Sequence, residues 1–322
     1  MKKGISVALL LLIIGFTLII ITGIFIYRST ARGENEFSDM IALSPERALF
    51  NTHSERVIDT GDKEPIQTMN WNANELESLE VRTDFCQLQI ETSDNDTVSV
   101  DVYRIKKVRP EPEITFNGGT LEVTREVERK RLQSFDLFMR KEEAEYVIKI
   151  KIPKGKTLDE FLLRHTIGKC SISGVNVKDF SAECGVGAAL IKKMKIENFE
   201  FSGGVGSVRF EELDVAETSI TSGVGPIVSN ACTFRNLEYE GGVGSFIFDG
   251  RLTGDSSLHT GIGETKLTLR APASDYNVFI ESGIGHARID HKSAKFFDNT
   301  KKRDHVISAE IGIGNFDIMF EP

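Results

Sequence analysis

The residues best equipped for chemistry lie near the end of the chain. Arg288, Asp290 and His291 stand together, with His286 close by. Carboxylates grouped with basic side chains are what a polysaccharide lyase or hydrolase would need. This cluster resembles such a site in composition only. The other histidines, His53, His165, His259 and His305, share no position of the repeat described below, so no metal ladder is expected. Cys86, Cys170, Cys184 and Cys232 form no C-x-x-C pair. A zinc or redox motif therefore has little support, and the four read as buried free thiols. Gly-rich triplets also recur, but the full nucleotide-loop pattern is absent and no helix follows them. Their period does not fit a calcium-binding roll either. The expectation is a protein that is not an enzyme, with no catalytic residue, cofactor or metal.

The elements that carry these residues are strands. Gly is frequent (28) and Pro scarce (8), while Phe (21) far outnumbers Tyr (5) and Trp (1). That composition favours strands and tight turns. The formal net charge of −9 argues against nucleic acid as a partner, since phosphate binding needs a basic face. Strand signals begin near Leu76, with alternation at Leu79 and Val81, at Leu88 and Ile90, and at Val98, Val100 and Val102. Asn117-Gly118-Gly119 marks a hairpin. Tyr146–Ile152 is another strand, stopped by Pro153. The stretch Arg125–Glu143 breaks the pattern with Arg129-Lys130-Arg131, Leu132, Phe135, Leu137, Phe138 and Met139. It reads as an ordinary insertion with a solvated charged face rather than a lipid- or partner-binding loop.

The strongest signal is an internal repeat. A Gly-Val/Ile-Gly triplet ends at Gly187, Gly206, Gly225, Gly244 and Gly263, with a degenerate first copy ending at Gly168, each 19 residues from the next. Two further copies end at Gly285 and Gly314, after spacings of 22 and 29 that suggest longer loops on the last turns. Counted from the second Gly, apolar residues fall at two and four, at seven and nine, and at twelve and fourteen. Phe180 and Phe199, and Ile172 and Ile191, belong to such columns. Arg251 is an exception, in a more polar fifth coil whose core should be thinner. A turn column holds Asp179, Asn198, Glu217, Asn236 and Asp255, residues that satisfy local backbone groups. Three apolar pairs per repeat imply a parallel β-solenoid with three short strands per 19-residue coil, preceded by a β-rich N-terminal part and one transmembrane helix. The Gly columns mark a corner needing positive φ or close backbone stacking. Three residues after each second Gly stand Leu190, Arg209, Val228 and Ile247. They form either an exposed contact stripe or a face covered by the N-terminal strands or a loop.

Residues 5–27 contain no charge, and at 1.5 Å per residue would make a helix of roughly 34 Å, long enough to span a bilayer. The run is longer than a signal-peptide core, so it reads as an uncleaved anchor. The expected organisation is a cytoplasmic tail at 1–4, the anchor at 5–27 and a juxtamembrane linker at 28–71. The β-rich N-terminal part follows at 72–153 and the repeats at 154–322. Flanking positive charges tie across the span and leave orientation open.

The segments Leu79–Ile90 and Tyr146–Pro153, with the Gly-Val/Ile-Gly coils from Ile167 to Phe320, resemble the bacterial putative-adhesin, β-strand-repeat domains of unknown function. Members include membrane-anchored proteins encoded with Lia-type cell-envelope stress systems. The resemblance covers roughly residues 72–321 and implies an extracytoplasmic domain. It supplies no catalytic residues to carry over. The functional expectation is a non-enzymatic, single-pass cell-membrane protein, presenting its repeat surface to an envelope polymer or another envelope protein. The alternatives are an accessory or regulatory part of an envelope stress response and a carbohydrate-active enzyme on a β-helix.

Overall fold

The structure, a computed structural model, describes residues 58, 60–61, 63–127, 144–293, 296–297 and 303–321. The expected anchor, most of the linker and the basic stretch Arg129–Met139 lie outside the described residues. Among the described residues no helix is long and apolar enough to cross a membrane. They fall within one compact unit, Val57–Pro322.

The fold is all-β. Its strands are β1 (Gln67–Asn72), β2 (Ser78–Thr83), β3 (Cys86–Ser93), β4 (Thr97–Arg104), β5 (Glu113–Asn117), β6 (Thr120–Arg125), β7 (Tyr146–Pro153), β8 (Thr157–Ser173), β9 (Asn176–Lys192) and β10 (Lys195–Glu211). There follow β11 (Asp214–Thr221), β12 (Ile227–Arg235), β13 (Leu237–Glu240), β14 (Phe246–Thr253), β15 (Asp255–Leu269), β16 (Tyr276–Ile284), β17 (Ala287–Ile289), β18 (Lys292–Ser293), β19 (Phe296–Phe297) and β20 (His305–Phe320). Two single-turn 3-10 helices, Ala73–Glu75 and Ala273–Asp275, complete the elements.

From β8 to β15 parallel ladders join residues 19 positions apart, as Phe161 to Phe180 to Phe199 and Ile167 to Val186 to Val205, except from Cys232 to Arg235, whose partners lie 18 on. The three apolar pairs point inward as their spacing requires, but they do not lie on three short strands. β8, β9 and β10 each run 17 residues without interruption. In β10 the inward alternation slips at Glu197–Asn198, two consecutive exposed residues, while the ladder continues through Asn198 and Phe199. The physical reason is repetition: neighbours that bend at equivalent residues stay parallel through the bend, so ladder hydrogen bonds survive a corner.

Two corners set the backbone. At the first, Gly187, Gly206, Gly225, Gly244 and Gly263 hold φ between +130° and +154°, beyond the reach of ordinary L-residues. A Cβ on Gly206 would lie 1.7 Å from the Gly187 carbonyl oxygen, and one on Gly225 would lie 1.9 Å from that of Gly206. At another corner the positive-φ positions are Gly174, Lys193, Glu212, Ala231 and Gly250. Three non-glycine residues therefore adopt left-handed geometry, each at a cost on the order of 1 kcal/mol. Ala231 also makes a bulge between β12 and β14. The bulge slips the register by one residue, so Leu252 pairs with Phe234 and is buried, while Arg251 is exposed. The inward place expected for Arg251, opposite Cys232, falls to Gly250, which adds no side chain to the core, and Leu252 takes the next inward place opposite Phe234.

The end coils are stacked out of chain order. β20 inserts between β15 and the β16–β17 coil. The glycine order down the corner is Gly263, Gly314, Gly285. The unequal spacings near the C-terminus therefore reflect a skipped level filled by the last strand, not only longer loops. At the other end β2–β3 lies between β6–β7 and β8. Antiparallel strands close both ends: β5 on β6, β4 on β7 and β1 on β4 at one, β18 on β17 and β19 on β16 at the other. Such pairing blunts the open edges of a parallel stack. Arg125 is buried at the first end, donating to the Asp84 carbonyl and to Glu145, with its guanidinium 5.1 Å from the Tyr146 ring centre.

One apolar core runs through all coils. Phe161, Phe180 and Phe199 stack face to face with centroids 4.6 and 5.3 Å apart. Replacing Gly206 with Ala should destabilise the domain by at least about 3 kcal/mol, whereas Gly155→Ala, at φ +80° with open space around it, should cost about 1 kcal/mol. Chemical denaturation of both variants checks this; equal losses would contradict a backbone-packed corner.

Candidate functional site

The cluster expected near the C-terminus is a turn. Asp290 and His291 hold positive φ between β17 and β18. The Asp290 carboxylate accepts the Phe320 backbone N–H at 3.1 Å, and the Asp290 N–H donates to the Ile318 carbonyl at 2.9 Å. Arg288 and His286 are exposed beside it. The carboxylate of Asp290 is thus tied to closing the last coil.

The stripe Leu190, Arg209, Val228 and Ile247 is one ladder column. Its members are half-buried, and Arg209 lies 3.6 Å from Glu211. A more exposed apolar column went unread. The central residues of the triplets, Val205, Val224, Val243, Ile262, Ile313 and Ile284, are 45 to 70% exposed and stack in register. Their signal was in view: every triplet carries Val or Ile between its glycines.

A furrow of about 920 Å³ runs along the coils beside the Phe stack. Its first wall is the column Asp179, Asn198, Glu217, Asn236 and Asp255. These residues act between coils, rather than only on their local backbone as their turn-like types suggest. Asn198 Nδ2 donates to Asp179 at 2.6 Å and Asn236 Nδ2 to Glu217 at 2.9 Å, while Asn236 accepts the Asp255 N–H at 3.1 Å. The second wall lies two residues further along each strand: Ser181, Glu200, Ser219, Glu238 and Ser257. Between the walls the strands pass through Phe180, Phe199, Thr218 and Ser256, whose side chains are buried.

Two periodicities follow. From Asp179 to Asp255 the first wall alternates acid and amide, and from Ser181 to Ser257 the second alternates hydroxyl and acid; one coil earlier Glu160 stacks on Asp179, two acids in succession, and Leu162 on Ser181. Each coil from Asp179 to Asp255 therefore contributes one carboxylate, on opposite walls in successive coils. Coils are about 4.8 Å apart, so each wall repeats every ~10 Å. Thr218 and Ser256 are each only 3% exposed, and neither Oγ1 nor Oγ has a hydrogen-bond partner. A buried unpaired hydroxyl costs about 1–3 kcal/mol.

The model of the Toastrack DUF4097 family matches residues 76–318. The chain belongs to that family. No curated protein matches it. Among solved structures, a putative adhesin from Bacteroides fragilis is 15% identical, with 81% of this chain and 100% of that one covered at a TM-score of 0.47. A putative adhesin from Parabacteroides merdae is 11% identical, covering 80% and 97%, at 0.32. A putative cell adhesion protein from Clostridium sporogenes is 12% identical, covering 79% and 98%, at 0.28.

Two sets of titratable groups lie inside this Toastrack domain. Cys86, Cys170 and Cys232 are buried and Cys184 half-buried, all as free thiols. Burial pushes Cys86, Cys184 and Cys232 up to about 12, and Cys170 well up as well. Thiolates are the reactive form. Ellman's reagent at pH 8 should therefore label none in the native protein and four after unfolding; native labelling would contradict the packing. His165 is buried, with Nδ1 2.8 Å from Thr83 Oγ1. Burial lowers its pKa from 6.5 to about 4. The unfolded chain binds the proton first as pH falls, so the native state loses up to about 3 kcal/mol between pH 6.5 and 4. His165→Gln should remove that part of the acid destabilisation in denaturation curves measured across this range.

Proposed function

We propose that this chain is a non-enzymatic protein of the cell envelope, held to the cell membrane by residues 5–27, with its β-solenoid outside the cytoplasm for adhesion or binding. The observation that carries the reading is the furrow. Its walls are built from equivalent positions of successive coils, so it offers a repeated row of similar groups rather than one reaction centre. A repeated row suits a long partner that meets the same chemistry at each step. The membership in the Toastrack family and the apolar run in the sequence support the envelope setting. The partner in this reading is an envelope polymer.

Full-length protein incubated with envelopes from its source cells should co-sediment saturably. Ser219→Trp, which places a bulky ring on the second wall, should weaken that binding at least about tenfold without changing thermal stability. Alkaline carbonate should leave the protein in the membrane fraction of its own cells. Binding unaffected by Ser219→Trp would remove the furrow from the reading, and extraction by carbonate would remove the anchor.

A further inference from the structure

We propose that the exposed Val and Ile column at the glycine corner is an interface to a second copy of this chain, laid antiparallel across it. The column shares no residue with the furrow, so this inference stands apart from the reading above. Val205, Val224, Val243, Ile262, Ile313 and Ile284 stack at successive coils, each with a glycine on either side. Glycine has no side chain to screen them, so the row is a continuous apolar strip open to water, the kind of surface that marks an interaction site. The charges beside it indicate what covers it. Three residues before the triplet centres runs a second column, joined coil to coil by the ladders. It is basic at the β2 end, with Arg82 and Arg164, and acidic at the β16 end, with Glu310 and Glu281. Thr221 is its middle, four ladder steps from Arg82 and four from Glu281.

A two-fold axis through the coil of Thr221 and Val224, crossing the stack at a right angle, lays this charged column on its own copy in reverse order. Arg82 then faces Glu281 of the second copy, Arg164 faces Glu310, and Glu183 faces His259, each pair formed twice. No acid of the column meets an acid and no base meets a base. Moving the axis by half a coil sets Glu183 against Glu240 in one direction and against Glu310 in the other. A parallel pair instead sets the column against the residues that follow the second glycines, so that Arg164 faces Lys169. Like charges placed so select against both alternatives. Within one copy Arg164 lies 2.9 Å from Glu183 and His259 lies 3.1 Å from Glu310, all four exposed. Set head to tail, these two pairs give every donor a second acceptor. The strip from Arg82 to Glu281 is about 38 Å long and ~17 Å wide, or about 600 Å² per copy, the low end of specific interfaces. The pair is therefore weak and reversible.

Analytical ultracentrifugation of the full-length chain in a neutral detergent reads the association. The parent should form a reversible dimer. Arg164→Glu and Glu310→Arg, each alone, set like charges opposite one another at two places and should weaken it about tenfold. An equal mixture of the two variants should recover the parent's affinity, because each copy supplies the charge that the other lacks. Val224→Glu, which brings two carboxylates face to face on the axis, should leave monomers at concentrations where the parent pairs. Strand content and melting that match the parent show that each variant is folded. A mixture no tighter than either variant alone overturns the proposal. So does a dimer that is indifferent to Val224→Glu, which would be held elsewhere, or one tightened by Arg164→Glu, which would be parallel. A monomeric parent overturns it as well: lowered melting of Val224→Glu would then mean that the chain itself covers the column, and lost envelope binding by a Val224→Glu protein of normal melting would assign the column to another partner.

Discussion

Backbone packed directly on backbone at the glycine corner is the contact on which the rest of this structure depends. From Gly187 down to Gly285, a Cβ on the second glycine of each triplet would lie 1.6 to 2.0 Å from the carbonyl oxygen of the glycine stacked on it. No side chain fits that space. With the corner closed, each coil sits in register on its neighbour, and every column follows: the stacked Phe rings, the inward aliphatic pairs and the outward walls of the furrow. A slip of one residue would turn a strand's inward side chains outward. Where a slip does occur, at the Ala231 bulge, Gly250 and Leu252 take the inward places opposite Cys232 and Phe234, and Arg251 turns outward.

Stacking of identical coils creates a second problem, because a parallel stack has two open ends. Both are solved in the same way. A coil distant in sequence is inserted one level from the end, and antiparallel strands finish the edge. The inserted β20 is paired on both sides, to β15 and to β16 and β17. At the N-terminal end β2–β3 is paired on both sides, to β8 and to β6–β7. These long-range pairings tie late and early segments into the stack, so neither end can fray without breaking contacts made far along the chain.

The surface inherits the order of the core. Outward positions are not needed for packing, yet they keep the coil period, and on the furrow they show an alternation of two coils. Backbone geometry alone requires the one-coil period. The alternation of acid with amide on the first wall is a property of the side chains, and it lets the amide of one coil donate to the acid of the next, as Asn198 does to Asp179 and Asn236 to Glu217. The exposed Val and Ile column at the triplets is different: β-branched residues there repeat at every coil and flank the glycines that the corner requires.

The 19-residue period, the inward columns and the corner glycines were legible in the sequence, because each is a local pattern repeated at fixed spacing. The turn column from Asp179 to Asp255 was also in view, but its types are those of any turn. Only its packing beside Ser181–Ser257 made it the wall of a furrow. Asp290 and His291 looked like chemistry in sequence, and the fold uses Asp290 to close a coil. What tertiary structure alone decided is which coil lies on which. Equivalent triplets at Gly263, Gly285 and Gly314 have equivalent local sequences, so nothing local orders them; the order comes from which arrangement pairs both edges of the last strand and leaves the stack closed.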